Sequence, residues 1–210
     1  ILDTSSIAAA IYIMWEREIS AMAEKRFVPP SITPFVSLQL TRILQWLKDP
    51  SIVFRERPAI ERDAFLKECF QSAIKKLRKK LGEDPLQWRY GQPLMKHIEI
   101  RHPLSQWVDT ALRRKLDFGP VPRGGYGLTP GATGMADNQT LGASFRFIAD
   151  LSDWDKAVMI NTPGQSGDPA SPFYGNLFKD WANDRYFPAL YTKEKVLSHL
   201  HDQTKLFPAV

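Results

Sequence analysis

The stretch DWDKAVMINTPGQSGDPASPFY (residues 153–174) decides how this chain is read. KAVMINT (156–162) has the apolar, β-rich character of a buried strand, and SFRFIADL (144–151) just upstream shares it. The turn residues of SDWD (152–155) lie between them, which predicts a paired hairpin. After Thr162 the pattern breaks: Pro163, Pro169 and Pro172 alternate with Gly164, Gly167, Ser166 and Ser171, with no apolar repeat. So long a turn-rich segment directly after a strand has three readings: an active-site loop, a phosphate cradle or a structural seam.

Outward from this segment, YGNLFKDWAND (174–184) and TKEKVLSHLHDQTK (192–205) read as helix. Upstream, KHIEIRH (96–102) alternates with period two and reads as a strand, WVDTALRRKL (107–116) as a short helix, and FGPVPRGGYGLTPGATG (118–134) as loop. The first 81 residues are predicted to be helical. Asp3 to Ser6 offer N-caps to a helix whose apolar face is Ile7, Ile11, Met14, Trp15, Ile19 and Met22, interrupted by Glu18 and closed by Pro29 and Pro30. A second helix is predicted over Pro34–Leu47. A third opens on Pro58, carries Glu61 and Asp63 early, ends before Gly82 and presents Leu66, Phe70, Ala73, Ile74, Leu77 and Leu81 on one side. Helices, then strands, then closing helices make an α+β chain. It is read as a helical segment (1–82) and a strand-rich part with C-terminal helices (83–210) of one larger domain.

The charged and apolar fractions are those of a globular protein, and no apolar run approaches the roughly 18 residues that span a bilayer, so no membrane role is expected. The chain opens on Ile1 without a Met or a basic leader, which reads as a processing product or a piece of a longer protein. A single cysteine, Cys69, excludes an internal disulfide. Of the four histidines, His199 and His201 are the nearest pair, but residues two apart on a helix diverge, so no metal site is expected. The net charge of +5 resides in residues 1–80. KKLRKK (75–80) sits at the end of the third helix, where cations complement the dipole. A basic nucleic-acid-binding domain stays open as an alternative resting on this charge alone.

RGGYGLTPGATG (123–134) has neither the P-loop nor the dinucleotide spacing. GQSGD (164–168) misses the nucleophile-elbow spacing because Gly167 directly follows Ser166, and a Ser among Gly and Pro is expected to bond local backbone. Asp153 and Asp155 are expected to cap the turn. Asp150 is expected to pair with Arg146, four residues earlier on the same strand face.

The segment from Ser144 to Val196, with PGQSGDPASPFY followed by Trp181 and Tyr186-Phe187-Pro188, resembles the C-terminal end of the penicillin acylase (penicillin amidase) family. WRYGQPLMKHIEIRHPLS (88–105), LDFGPVPRGGYG (116–127) and IAAAIYIMWEREI (7–19) are similar to the family in the same order. The chain departs from the family at Tyr126, where an Asp is frequent, and keeps Ser144 and Arg146 of the segment GASFR.

The resemblance implies an N-terminal-nucleophile hydrolase with an αββα sandwich, in which a precursor cuts itself into an α and a β chain and exposes a Ser. That Ser attacks an amide carbonyl with its own α-amino group as base, and an Asn holds the oxyanion. Substrates would be acylated amines such as β-lactams or acyl-homoserine lactones, without metal or organic cofactor. It implies a periplasmic or secreted protein whose partners are the α chain and the N-terminal part of β. Because Ile1 carries no nucleophile, the chain is expected to be the C-terminal part of β and inactive alone. By position, Asp150 would be a carboxylate that orients a His near the nucleophile. The Gly/Pro loop, with Asn161, Gly164, Gln165, Ser166 and Gly167, would be a structural seam, Asn161 and Gln165 satisfying buried backbone groups there. A non-catalytic interaction module on the same scaffold is the further alternative.

Overall fold

The computed structural model describes residues 2–207 and divides into two compact units, one ending at Lys96 and one beginning at His97. The boundary falls fourteen residues beyond the one read from composition at Gly82, for a physical reason. Trp88, Tyr90 and Met95 are buried, and the backbone N–H groups of Tyr90 and Gly91 donate to Ser6 O and Thr4 O. Residues 83–96 therefore fold back onto the start of the first helix.

In the first unit, α1 spans Ile7–Phe27 with Ser6 Oγ accepting from Ala9 N at 3.1 Å. Such a cap is worth about 1 kcal/mol. The helix is buried on more sides than its apolar stripe predicts, with Ala9, Ala10, Ile13, Met14, Ile19 and Ala23 all enclosed. α2 covers Leu40–Lys48 only, and Pro34–Gln39, expected as its first turns, is irregular chain. α3 runs Pro58–Leu81 as expected, and Gly82 at φ +96° leaves the helix in a conformation that side chains disfavour.

α3 faces inward through Phe65, Cys69, Ala73 and Leu77, a row one turn apart and rotated from the expected face, so Phe70 is left on the surface. Phe27 meets Phe54 and Phe65 edge-on beside Ile19, Ala23 and Ile43. Each buried ring contributes about 2–3 kcal/mol by removal of its area from water. Burial, with Glu68 and Glu18 nearby, pushes the Cys69 thiol up to about 12, so it is an inert core residue. Glu18, the interruption in the α1 stripe, is buried and accepts from Ser72 Oγ at 2.6 Å and Lys76 Nζ at 2.5 Å. The polar residue in the stripe is thus a cross-link to α3.

In the second unit, β1 (His97–Ile100) pairs antiparallel with β2 (Phe118–Pro122), His97 opposite Pro122 and Ile100 opposite Phe118. β2 lies in a stretch read as loop. Its Gly and two prolines are tolerated because the sheet has only two strands, so every strand is an edge. The register shifts at Glu99, and the Asn138 side chain replaces the missing ladder by accepting from Glu99 N and donating to Glu99 O.

The predicted hairpin forms as β3 (Arg146–Ile148) and β4 (Val158–Ile160), shorter than the apolar runs, and β5 (Phe187–Pro188), between the two closing helices, adds a third strand. Short helices α4 (Thr110–Leu116), α5 (Phe178–Ala182) and α6 (Lys193–Ser198) complete the unit. α6 ends at Ser198 rather than continuing to Lys205. The core gathers Ile98, Ile160, Phe178, Trp181 and Ala182.

Candidate functional site

The loop after β4 holds itself by backbone contacts. Gln165 N and Ser166 N both donate to Phe173 O, at 2.8 and 3.2 Å, and Leu177 N donates to Pro163 O at 3.0 Å. Gly164 passes so close to the returning chain that a Cβ there would lie 2.5 Å from Tyr174 O and closer still to Phe173 O. Gly167 has open space around it, so only one of the two loop glycines is required by sterics.

Ser166 Oγ accepts from Asp168 N at 3.1 Å, the local bond expected of it. His199 Nδ1 sits 3.0 Å from Ser198 Oγ, and His201 Nδ1 2.7 Å from Asp202, so each ring is anchored beside its own position in the chain. Asn161 Oδ1 accepts from Thr162 N, while Gln165 takes part through its backbone and its side chain is exposed. Asn161 thus serves a part-buried backbone N–H next to it in the chain, whereas the Gln165 side chain does not take the part expected of it.

The expected Asp150–Arg146 pair does not form. β3 ends at Ile148, so Asp150 lies beyond the strand and its Oδ1 accepts from Ser152 N and Ser152 Oγ at 2.9 and 2.6 Å. The Ser152 hydroxyl and N–H hold the Asp150 carboxyl below the ordinary carboxylate range. Asp153 caps the turn as expected, accepting from Asp155 N. Asp155 instead reaches forward, taking Tyr191 N, Thr192 N and Thr192 Oγ1 at 2.7–2.9 Å.

Arg146 belongs to a cluster that no local pattern announces. Its Nη1 lies 2.5 Å from Asp184 Oδ1 and donates to Trp181 O, its Nε donates to Ala143 O, and its guanidinium lies 4.6 Å from the Trp181 ring centre. Arg123 forks onto the same carboxylate at 2.7 and 2.9 Å, donates to Ala182 O and reaches Gln139 Oε1 at 3.2 Å. Both guanidiniums cap the last carbonyls of α5, where cations are favoured. Asp184 sits at φ +54°, a left-handed position its short side chain tolerates just after a helix end. The cluster clamps the end of β2, β3 and α5 together.

Beside it, a hollow of about 340 Å³ is bordered by Ile98, Gln139, Ser144, Thr162 and Trp181. A second, polar hollow of about 590 Å³ follows β1, bordered by Glu99, Arg101, His102, Arg113 and Asp117. Burial raises the Asp117 carboxyl, but the Ser105 hydroxyl and His102 N–H outweigh it and hold the group ionised below its usual range. Among the described residues no three His, Cys, Asp or Glu side chains are placed to hold a metal ion. No described helix is long and apolar enough to cross a membrane.

Comparison with known proteins fits this architecture. The profile of the protein family described as Penicillin amidase matches residues 2–198. The Penicillin acylase 2 proenzyme of Pseudomonas sp. (strain SE83) is 31% identical over 112 residues, which are 51% of this chain and 14% of that protein. The acyl-homoserine lactone acylase QuiP of Pseudomonas aeruginosa is 25% identical over 140 residues, 60% of this chain and 16% of its own length. Among solved structures, a thermostable penicillin G acylase from Alcaligenes faecalis matches with a TM-score of 0.52 at 16% identity, covering 98% of this chain and 39% of that one. The chain thus spans about a seventh of the curated relatives it matches and two fifths of the solved neighbour.

Proposed function

The chain belongs to the penicillin amidase family, and from that premise we propose that it is the C-terminal part of an amidohydrolase whose nucleophile lies on another segment. In this reading the strands and helices of the chain build one portion of a larger αββα sandwich. The parent protein hydrolyses the linear amide bond of an acylated amine. A serine oxygen adds to the carbonyl, the amine leaves with a proton, and water clears the acyl ester. The names of the relatives, a penicillin acylase and acyl-homoserine lactone acylases, support acylated β-lactams and acyl-homoserine lactones as the substrate classes.

The observation that carries the reading is an apolar row on the three-stranded sheet, exposed at Phe147 and Phe187 and half-buried at Met159. Register places Phe147 opposite Met159 and Met159 opposite Phe187, so the three side chains share the face away from Arg146 and Ile160. Phe147 is 50% exposed and Phe145, two residues earlier, 51%. A sheet face this apolar is the kind a second layer covers. Asp150 enters the proposal as a positioning carboxylate for a histidine of the remaining protein. Its bonds to Ser152 keep it ionised and fixed, the state that role needs.

The test is hydrolysis of a chromogenic acyl anilide and an acyl-homoserine lactone by the full-length protein and its Ser166→Ala variant. Equal turnover by both supports the proposal. A full-length protein that hydrolyses neither substrate contradicts the reaction, and loss of turnover in Ser166→Ala contradicts the placement of the nucleophile.

A further inference from the structure

A groove of about 620 Å³ runs along the outer side of α3, with Phe70 and Ile74 as its apolar floor and Lys75, Arg78, Lys79 and Glu83 along its rim. Phe70 packs perpendicular to the Trp15 ring at 5.7 Å between ring centres and stays partly exposed at the surface. Phe70 and Ile74 are one helical turn apart, so they form a continuous apolar strip. The rim is strongly one-sided in charge. Arg78 meets Glu83 at 3.6 Å, whereas the exposed Lys75 and Lys79 face no carboxylate in that rim. Lys76, between them, points the other way and is spent on Glu18.

Complementing the α3 dipole accounts for cations in the last turn, and Arg78, Lys79 and Lys80 supply three there. It accounts neither for Lys75 further back nor for the exposed apolar strip beside it. We propose that this groove is a docking surface for an acidic segment of the same protein outside residues 1–210, with apolar residues one helical turn apart that seat on Phe70 and Ile74 and carboxylates that meet Lys75 and Lys79. Such helix-in-groove recognition uses an apolar stripe for affinity and the flanking charges for register. The apolar floor favours a peptide over a nucleic acid, whose phosphates would need cations without a greasy strip between them. The inference rests on the reading above that the chain works as part of a longer polypeptide.

The experiment is zero-length carbodiimide cross-linking of the purified full-length protein, with peptide mass spectrometry and with Lys156–Asp153, an exposed pair at 3.4 Å, as the internal control. Links from Lys75 or Lys79 to Asp or Glu outside residues 1–210 of the same molecule are expected. In a Phe70→Ser variant, which keeps both lysines and removes the apolar floor, the linked species falls by about tenfold, as for a buried anchor truncated at an interface. With the control link present, three results overturn the proposal: no link from either lysine, links only to a second copy or within residues 1–210, or nucleic acid that co-purifies and is released by salt. Acyl-anilide hydrolysis measured on the same sample separates the two ideas. Turnover without the links sinks the docking surface alone, and links without turnover sink the hydrolase reading alone.

Discussion

Asp184 Oδ1 lies 2.5 Å from Arg146 Nη1, thirty-eight residues away, and the same carboxylate receives the fork of Arg123. Two guanidiniums with side chains only 5% and 8% exposed therefore share one acid that is itself 55% exposed. Removing that acid leaves two buried cations facing each other, which costs more than any contact the acid makes. Asp184→Ala is expected to lower stability by about 2–4 kcal/mol, below the value for a fully buried pair because water already reaches Asp184. Asp184→Asn, which keeps the left-handed position and some hydrogen bonding, is expected to lose less. Urea unfolding of the three proteins, compared at equal m, gives the ordering.

The loop glycines separate by sterics. Gly164→Ala drives a Cβ into two backbone carbonyls that cannot move aside, and is expected to cost about 2 kcal/mol or more, whereas Gly167→Ala stays within about 0.5 kcal/mol. Thermal unfolding of both variants checks this. Equal effects would mean that the return of the chain at Phe173 and Tyr174 is looser than its geometry.

Asp155 makes the chain from β5 to α6 sensitive to acid. The N–H groups of Thr192 and Tyr191 and the Thr192 hydroxyl hold its carboxyl below the ordinary range in the folded state. A depressed folded pKa means the contribution is present above the unfolded value and disappears as pH falls through the folded one. The protection of the Tyr191 and Thr192 amides, measured as exchange relative to the intrinsic rate at each pH, is expected to hold at neutral pH and to fall in acid below the usual carboxylate range. Asp155→Asn is expected to exchange faster at neutral pH and to lose that acid dependence.

Asp150→Asn tests the positioning role in the full-length protein. If the carboxylate orients a histidine, kcat falls by about a hundredfold, the low end of what a disturbed acid–base partner costs, and the pH profile moves with it. A purely local role would lower the melting temperature through Ser152 and leave kcat and its pH profile in place.

How far the sequence carried these features follows from the range of the interactions involved. α3 is legible end to end because Pro58 and Gly82 act on their own backbone. The hairpin of β3 and β4 is legible for the same reason, since strand character and turn residues are adjacent. Glu18 is visible as an anomaly in an apolar stripe, but Ser72 and Lys76 are more than fifty residues away and no pattern points to them. The Arg146–Asp150 pairing fails because β3 ends at Ile148, short of Asp150, and Arg146 turns to an acid thirty-eight residues away. The one signal for Asp184 was its place just after a helix end, where Asp tolerates the left-handed conformation. β2 was hidden by its prolines, which argue against a strand only where both edges must pair.

The most direct measurement is an intact-mass and amidase comparison of the full-length protein with the 210-residue chain, using a chromogenic acyl anilide. The account predicts that the full-length protein cleaves itself and turns over the substrate while the 210-residue chain does nothing. Turnover by the 210-residue chain alone would place the nucleophile within it and contradict the account.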